Sequence, residues 1–248
     1  MKALLALGEE LIGAAGERPT IAGIGFGGPV DLAQGRIRTS YLSAGWGGIA
    51  LGELVAEGLG ITTWLANDAD AAGLGEALFG AGAGAESVLY VNVGTGIGGA
   101  VILAGRIYAG ATSTAGEIGH VMVAPDGPEC ACGRRGCLQA MSAGPALALE
   151  ARARMARGEA SVLAGDELTG RQVGEAAVAG DELAVAVVEE AARYLGTAIA
   201  NAVNLIDPAV VVVGGGVAEL GEVLMSPLRE QQAAATRKRP SGSLVARG

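Results

Sequence analysis

Residues 115–139 read AGEIGHVMVAPDGPECACGRRGCLQ, and they hold the chain's only histidine, His120, together with all three of its cysteines, Cys130, Cys132 and Cys137. The spacing is His-x9-Cys-x-Cys-x4-Cys. Four nitrogen and sulfur ligands are what a closed tetrahedral zinc shell requires. Gly127, Pro128, Gly133 and Gly136 lie between them and permit the tight turns that gather nearby sulfurs around one ion. The plainer alternative is a buried thiol pair, a spare cysteine and an unrelated histidine. Against it, Cys130 and Cys132 are too close in sequence for an easy disulfide. With every ligand position filled by protein, the zinc is expected to be structural.

The surrounding chain sets the class. Its 248 residues suit one large or two small domains. Half of the residues are hydrophobic but only 3% are aromatic, so the core must be built from Ala, Val, Leu and Ile. The formal net charge of −9 argues against a surface that binds a nucleic-acid backbone. Cysteines in a metal-like pattern suit a reducing compartment. The N-terminal segment MKALLALGEELIGAAGERP has its apolar run interrupted by Glu9 and Glu10, and it reads as an amphipathic helix and not a signal peptide. No apolar run reaches the length of a membrane span. The expectation is a soluble, cytoplasmic protein with no membrane and no nucleic-acid partner.

Working along the chain, helices are expected over 2–15, 51–59, 68–79 and 145–157. Further helices follow Thr169 and Asp181, and another runs to about 232. Strands are expected at 21–26, 61–65 (buried), 87–93, 100–103 and 209–213, with a turn or hairpin at 31–38. The β-branched run ending at Val213 reads as a fully buried strand. Loops cover 39–48, and residues 236–248 read as a frayed tail. Strands alternating with helices indicate an α/β protein in two lobes, 1–84 and 85–248, joined at the glycine-rich segment 80–84.

Three glycine loops lie at strand ends, where open α/β sheets place ligands. Gly94-Thr95-Gly96-Ile97-Gly98-Gly99 sits in a hairpin and not in a strand–turn–helix unit, which excludes a Rossmann reading. Such a loop either cradles an anion through backbone N–H groups or is simply a tight hairpin. Asp68 follows a strand beside Asn67 at a helix start; it reads as a helix cap or as a catalytic carboxylate. Glu117 and His120 lie three apart and could face one pocket.

Taken together, IGFGGPVD (24–31), ANDADAAGLGEALFGAG (66–82), VGTGIGG (93–99), AGEIGH (115–120), CACGRRGCLQ (130–139) and NLIDPAVVVVGGG (204–216) resemble the ROK family of bacterial repressors and sugar kinases. The resemblance implies an actin-like ATPase (ribonuclease H-like) fold. It also implies ATP-dependent phosphorylation of a hexose or hexosamine, with Mg²⁺ accompanying ATP, and a homodimer. By that resemblance Asp68 is the general base. Asn67, Glu117 and His120 hydrogen-bond the sugar, with Gly28 at the pocket wall. Gly94, Thr95 and Gly96 match the second phosphate loop, and Gly214, Gly215 and Gly216 match the nucleotide-side glycines. His120 would bind zinc through one ring nitrogen and face the sugar with the other, so that the zinc braces the sugar-reading loop.

The sequence departs from the family pattern in four places. Family kinases begin with strands carrying an Asp-x-Gly-x-Thr-type loop that grips phosphate, and this chain opens on the helix that would follow them. An incomplete N-terminal lobe is therefore expected, and with it the alternative of a non-catalytic sugar-binding protein or an inactive fragment. Gln139 stands where the pattern has a glutamate that accepts from the sugar; glutamine keeps one acceptor and adds donors, so Gln139 is expected to bind the sugar with changed affinity or preference. The repressors' DNA-reading helices have no counterpart in the sequence, and residues beyond Leu228 do not match the family's closing segment.

Overall fold

The computed structural model describes residues 1–39, 45–165, 167–236 and 244–248. Parts of the loop expected at 39–48 and of the tail expected at 236–248 (40–44 and 237–243) lie outside the described residues. The chain divides into two compact units, 1–72 with 109–115, and 73–108 with 116–248. The first boundary falls within a helix, and the glycine-rich segment 80–84 belongs to the second unit.

The first unit contains α1 (Lys2–Ala14), β1 (Ile21–Phe26), β2 (Val30–Asp31), β3 (Arg36–Ile37), α2 (Leu51–Leu59), β4 (Thr62–Asn67) and the start of α3 (Asp68–Phe79). β1 and β4 pair in parallel from Ile21↔Thr62 to Phe26↔Asn67, and β2 and β3 form the small hairpin anticipated near 31–38. Val30, Ile37, Leu51, Val55, Leu59 and Leu65 form the core. The strand expected to be buried over 61–65 is only half buried. Leu65 faces the core, but Trp64 is 67% exposed because period-two alternation turns it to the other face of a two-stranded sheet.

The second unit is built on a five-stranded sheet ordered β7-β6-β5-β8-β9, from β5 (Ser87–Val93), β6 (Ile97–Leu103), β7 (Arg106–Ile107), β8 (Val210–Gly214) and β9 (Leu244–Arg247). β5 pairs antiparallel with β6 and parallel with β8. Along these strands Leu89, Val91, Val93, Val101, Val211 and Val213 belong to a large cluster with the helices, whereas Val88, Tyr90, Ala100, Ile102, Val210 and Val212 pack with Leu74 and Ala77 of α3. Both faces are covered, which is why β8 could be read as a continuous apolar run. β9, parallel to β8, replaces the frayed tail expected at its position. Its four residues are too few to set a sequence period.

The helices are α4 (Leu138–Ser142), α5 (Gly144–Ala156), α6 (Gly170–Val178), α7 (Glu182–Ile206) and α8 (Glu222–Ala235). α4 and β7 are short and were not legible in the sequence. α7 buries Leu183, Val187, Ala191, Leu195, Ala198, Ile199 and Val203, the stripe expected of a core helix. At Gly196 an added Cβ would stand 2.7 Å from the Leu228 carbonyl oxygen, so α8 approaches α7 more closely than any side chain there would permit. Thr169 caps α6 in a capping box with Gln172, and Asp181 caps α7 by accepting from Ala184 N, as their positions in the sequence indicated.

Candidate active site and metal centre

In the first unit, the turn after β1 meets the β4–α3 junction. Asn67 donates through Nδ2 to the Gly28 carbonyl at 3.0 Å, and its Oδ1 accepts from the backbone N–H groups of Ala69 (2.9 Å) and Asp70 (3.1 Å). Asn67 is therefore the residue that caps α3. Asp68, the first residue of the helix, is exposed and accepts from Ala69 N through Oδ1. Gly28 has φ +151°, and a Cβ there would stand 2.9 Å from the Thr39 carbonyl oxygen, so the turn that receives Asn67 requires glycine. Of the residues expected here, the structure thus brings Gly28, Asn67 and Asp68 together.

In the second unit, Glu117 precedes a one-turn 3₁₀ helix, Ile118–His120, seated on the start of β6. A Cβ on Gly119 would lie 1.9 Å from the Ile97 carbonyl oxygen, so the glycine permits this contact. The cysteine loop folds back as a knuckle. Cys130 N donates to Arg134 O (2.7 Å), Gly133 N to Cys130 O (2.8 Å), and Gly136 N to Pro128 O (2.8 Å).

The knuckle brings the four expected ligands into one cluster. One donor atom from each of His120, Cys130, Cys132 and Cys137 lies within 4.8 Å of all the others. Cys132 Sγ and Cys137 Sγ are 3.7 Å apart, and Cys130 Sγ is 3.8 Å from His120 Nδ1. A tetrahedron with zinc–sulfur bonds of about 2.3 Å has sulfur–sulfur edges of about 3.8 Å. The cysteines form no disulfide. Donor set and spacing therefore fit zinc. The other imidazole nitrogen, Nε2, lies 3.8 Å from Glu117 Oε2.

The thiols are not equivalent. The Arg134 backbone N–H, and then its side chain, hold Cys132 down to about 6, although burial opposes this. Burial pushes Cys137 up to about 12. Cys132 lies on the accessible side of the cluster and Cys137 on the enclosed side.

A cleft of about 900 Å³ lies beyond the ends of β5 and β8, lined by Gly94, Thr95, Gly144, Arg152, Thr169, Gly170, Arg171, Glu175, Gly216 and Val217 among others. The volume is within the usual range for small-molecule sites. Gly144 N donates to Gly94 O at 2.8 Å, tying the start of α5 to the glycine turn. The starts of α5 and α6 contribute to the lining, and helix N-termini offer N–H groups to anions. Among the predicted nucleotide-side glycines only Gly216 lines this cleft. Gly214 packs on Tyr90, and Gly215, at φ +90°, packs on Asn92 and Val93. Gly96 accepts from Gly94 N within the turn and faces Gln139. Arg152, Arg171 and Glu175 were not anticipated from sequence; the one available signal was Thr169 starting a helix.

The ROK family model matches residues 1–247, and so runs through the segment beyond Leu228 that was expected to depart from the family. A glucokinase of Thermotoga maritima is 35% identical over 221 residues, covering 87% of this chain and 70% of that protein. The ROK hexokinase of Thermus thermophilus superposes with a TM-score of 0.77 at 36% identity, over 99% of this chain and 79% of that one. A ROK glucokinase of Streptomyces griseus, solved in complex with glucose and AMPPNP, gives 0.85 at 31% identity, over 99% and 82%. A ROK transcriptional regulator described as a homologue of the Escherichia coli MLC protein gives 0.88 at 29% identity, over 99% and 63%. The mixed α/β architecture is that of these ROK structures, an actin-like ATPase fold, and the chain belongs to the ROK family.

Proposed function

We propose that the protein is an ATP-dependent hexose kinase with a structural zinc ion. The observation that carries this reading is the cleft shared by Gly94, Thr95 and Gly216, large enough for a nucleotide, in a chain similar to enzymes named glucokinase and hexokinase. The Thr95 backbone N–H in the glycine turn and the first turn of α6, with Arg152 and Arg171, suit the phosphates.

Asp68 is the general base. A sugar hydroxyl oxygen attacks the γ-phosphorus, the bond from that phosphorus to the β–γ bridging oxygen breaks, and the hydroxyl proton passes to the Asp68 carboxylate. Phosphoryl transfer depends mostly on positioning and charge stabilisation, so an ordinary carboxylate suffices. Because Asn67 caps the helix, Asp68 is not needed for that task. Glu117 and His120 hydrogen-bond sugar hydroxyls. Bound Zn²⁺ keeps the sulfurs as thiolates and cross-links the knuckle. With Nδ1 committed to the cysteine cluster, His120 holds Nε2 toward Glu117 and fixes the loop that reads the sugar. Mg²⁺ enters with ATP as part of the substrate. The homodimer implied by the family belongs to the same proposal, and light scattering checks it.

A coupled ADP-release assay over hexoses and N-acetylhexosamines tests the kinase. Turnover with at least one sugar is expected; none from folded, zinc-loaded protein would reject it. The likeness to a ROK regulator favours a second reading, a sugar-binding domain without transferase activity. Calorimetry showing sugar binding without nucleotide binding would select that reading.

A further inference from the structure

Gln139 is the second residue of α4, two residues after Cys137, and its side chain is half buried between two features already described. Its Nε2 lies 3.3 Å from Cys130 Sγ. Its Oε1 faces the glycine turn, where a Cβ added to Gly96 would stand 3.6 Å away. Chemistry fixes which end of the amide is which. A thiolate accepts hydrogen bonds and has none to give, so the NH₂ end belongs at the sulfur.

We infer that Gln139 is a positioning residue for the metal cluster, donating to Cys130 Sγ and thereby setting how tightly and how strongly that sulfur binds a metal. The inference rests on the zinc reading above and goes beyond it, because it gives Gln139 a task that involves no sugar. Hydrogen bonds to charged acceptors are roughly twice as strong as neutral ones. A thiolate relieved of part of its charge by an N–H donor is also a weaker electron donor. Leucine in place of Gln139 keeps nearly the same volume and supplies no donor.

The test compares the protein with Gln139→Leu, without sugar or nucleotide. Zinc retention is measured by competition with a chromogenic chelator. Both proteins are loaded with Co²⁺, and the sulfur-to-cobalt charge-transfer band is recorded. Partners of metal ligands typically contribute about 10- to 100-fold to metal affinity. Retention is therefore expected to fall about 10-fold in Gln139→Leu. The cobalt band should move to lower energy in the variant, since a sulfur without its N–H donor gives up charge more easily. A role limited to packing would leave the band where it is. An unmoved band, whatever the retention, overturns the inference and leaves the zinc reading standing. A wild-type protein that holds no zinc overturns both.

Discussion

His120 turns its Nδ1 toward the Sγ of Cys130, 3.8 Å away, so the one imidazole of the chain is oriented by the cysteine cluster. The same ring presents Nε2 to Glu117. Disturbing the sulfurs should therefore be felt at a carboxylate that none of them touches. Cys132→Ser is expected to remove zinc and to weaken sugar binding by about 10-fold. Elemental analysis and sugar calorimetry on the same sample check this, and unchanged sugar affinity after confirmed metal loss would reject the brace.

The inequality of the thiols gives a pH-dependent prediction for metal-free protein. The thiolate is the reactive form. Arg134 holds Cys132 down to about 6 and burial pushes Cys137 up to about 12, so at pH 7 iodoacetamide should label Cys132 well before Cys137. Labelling of Cys132 should slow as the pH falls through about 6, and zinc should protect it. Peptide mapping after timed alkylation reads the order.

Asn67 caps α3, and the proposed function leaves Asp68 to serve as the base, so the two residues should give different phenotypes. Asp68→Asn should lower kcat by ~100-fold or more while the melting temperature stays nearly unchanged. Asn67→Ala should instead cost about 1 kcal/mol of stability, because it removes the cap and the bond to Gly28. Steady-state kinetics and thermal melts on both variants check the pair.

Ala104 and Gly105 form the two-residue turn between β6 and β7, with φ of +49° and +70°. Both central residues of this turn type take positive φ, a region unfavourable for alanine and tolerated by asparagine. Ala104→Asn is expected to raise stability by about 0.5 kcal/mol. A urea midpoint no higher than wild type would count against it.

Asp181 supports α7 and the preceding loop at once. Burial raises its pKa, but the bonds it accepts from Val162 N, Ala184 N and the Ser161 hydroxyl outweigh this and hold the carboxyl below its usual value. A carboxylate lowered on folding stabilises above its unfolded pKa of about 3.9, and that contribution disappears as the pH falls through the lower folded value. Asp181→Ala should cost about 1 kcal/mol at pH 7 and progressively less below pH 4. Denaturant midpoints at several pH values check the trend.

The sequence by itself determined the elements whose residues carry a local signal. The stripe of α7, the caps at Thr169 and Asp181, the buried run of β8 and the His-Cys-Cys-Cys spacing each follow from periodicity, hydrogen-bond chemistry or ligand number within a short window. Only the tertiary structure decided what depends on neighbours far along the chain. β9 exists because β8 offers it an edge, and Trp64 is exposed because its sheet has two strands. Gly214 and Gly215 pack on β5 while Gly216 alone reaches the cleft. Arg152 and Arg171 reach that cleft from two helices that no sequence window joins. Nor could spacing show that the Gln139 amide meets the Cys130 sulfur, because that contact requires the knuckle to be folded.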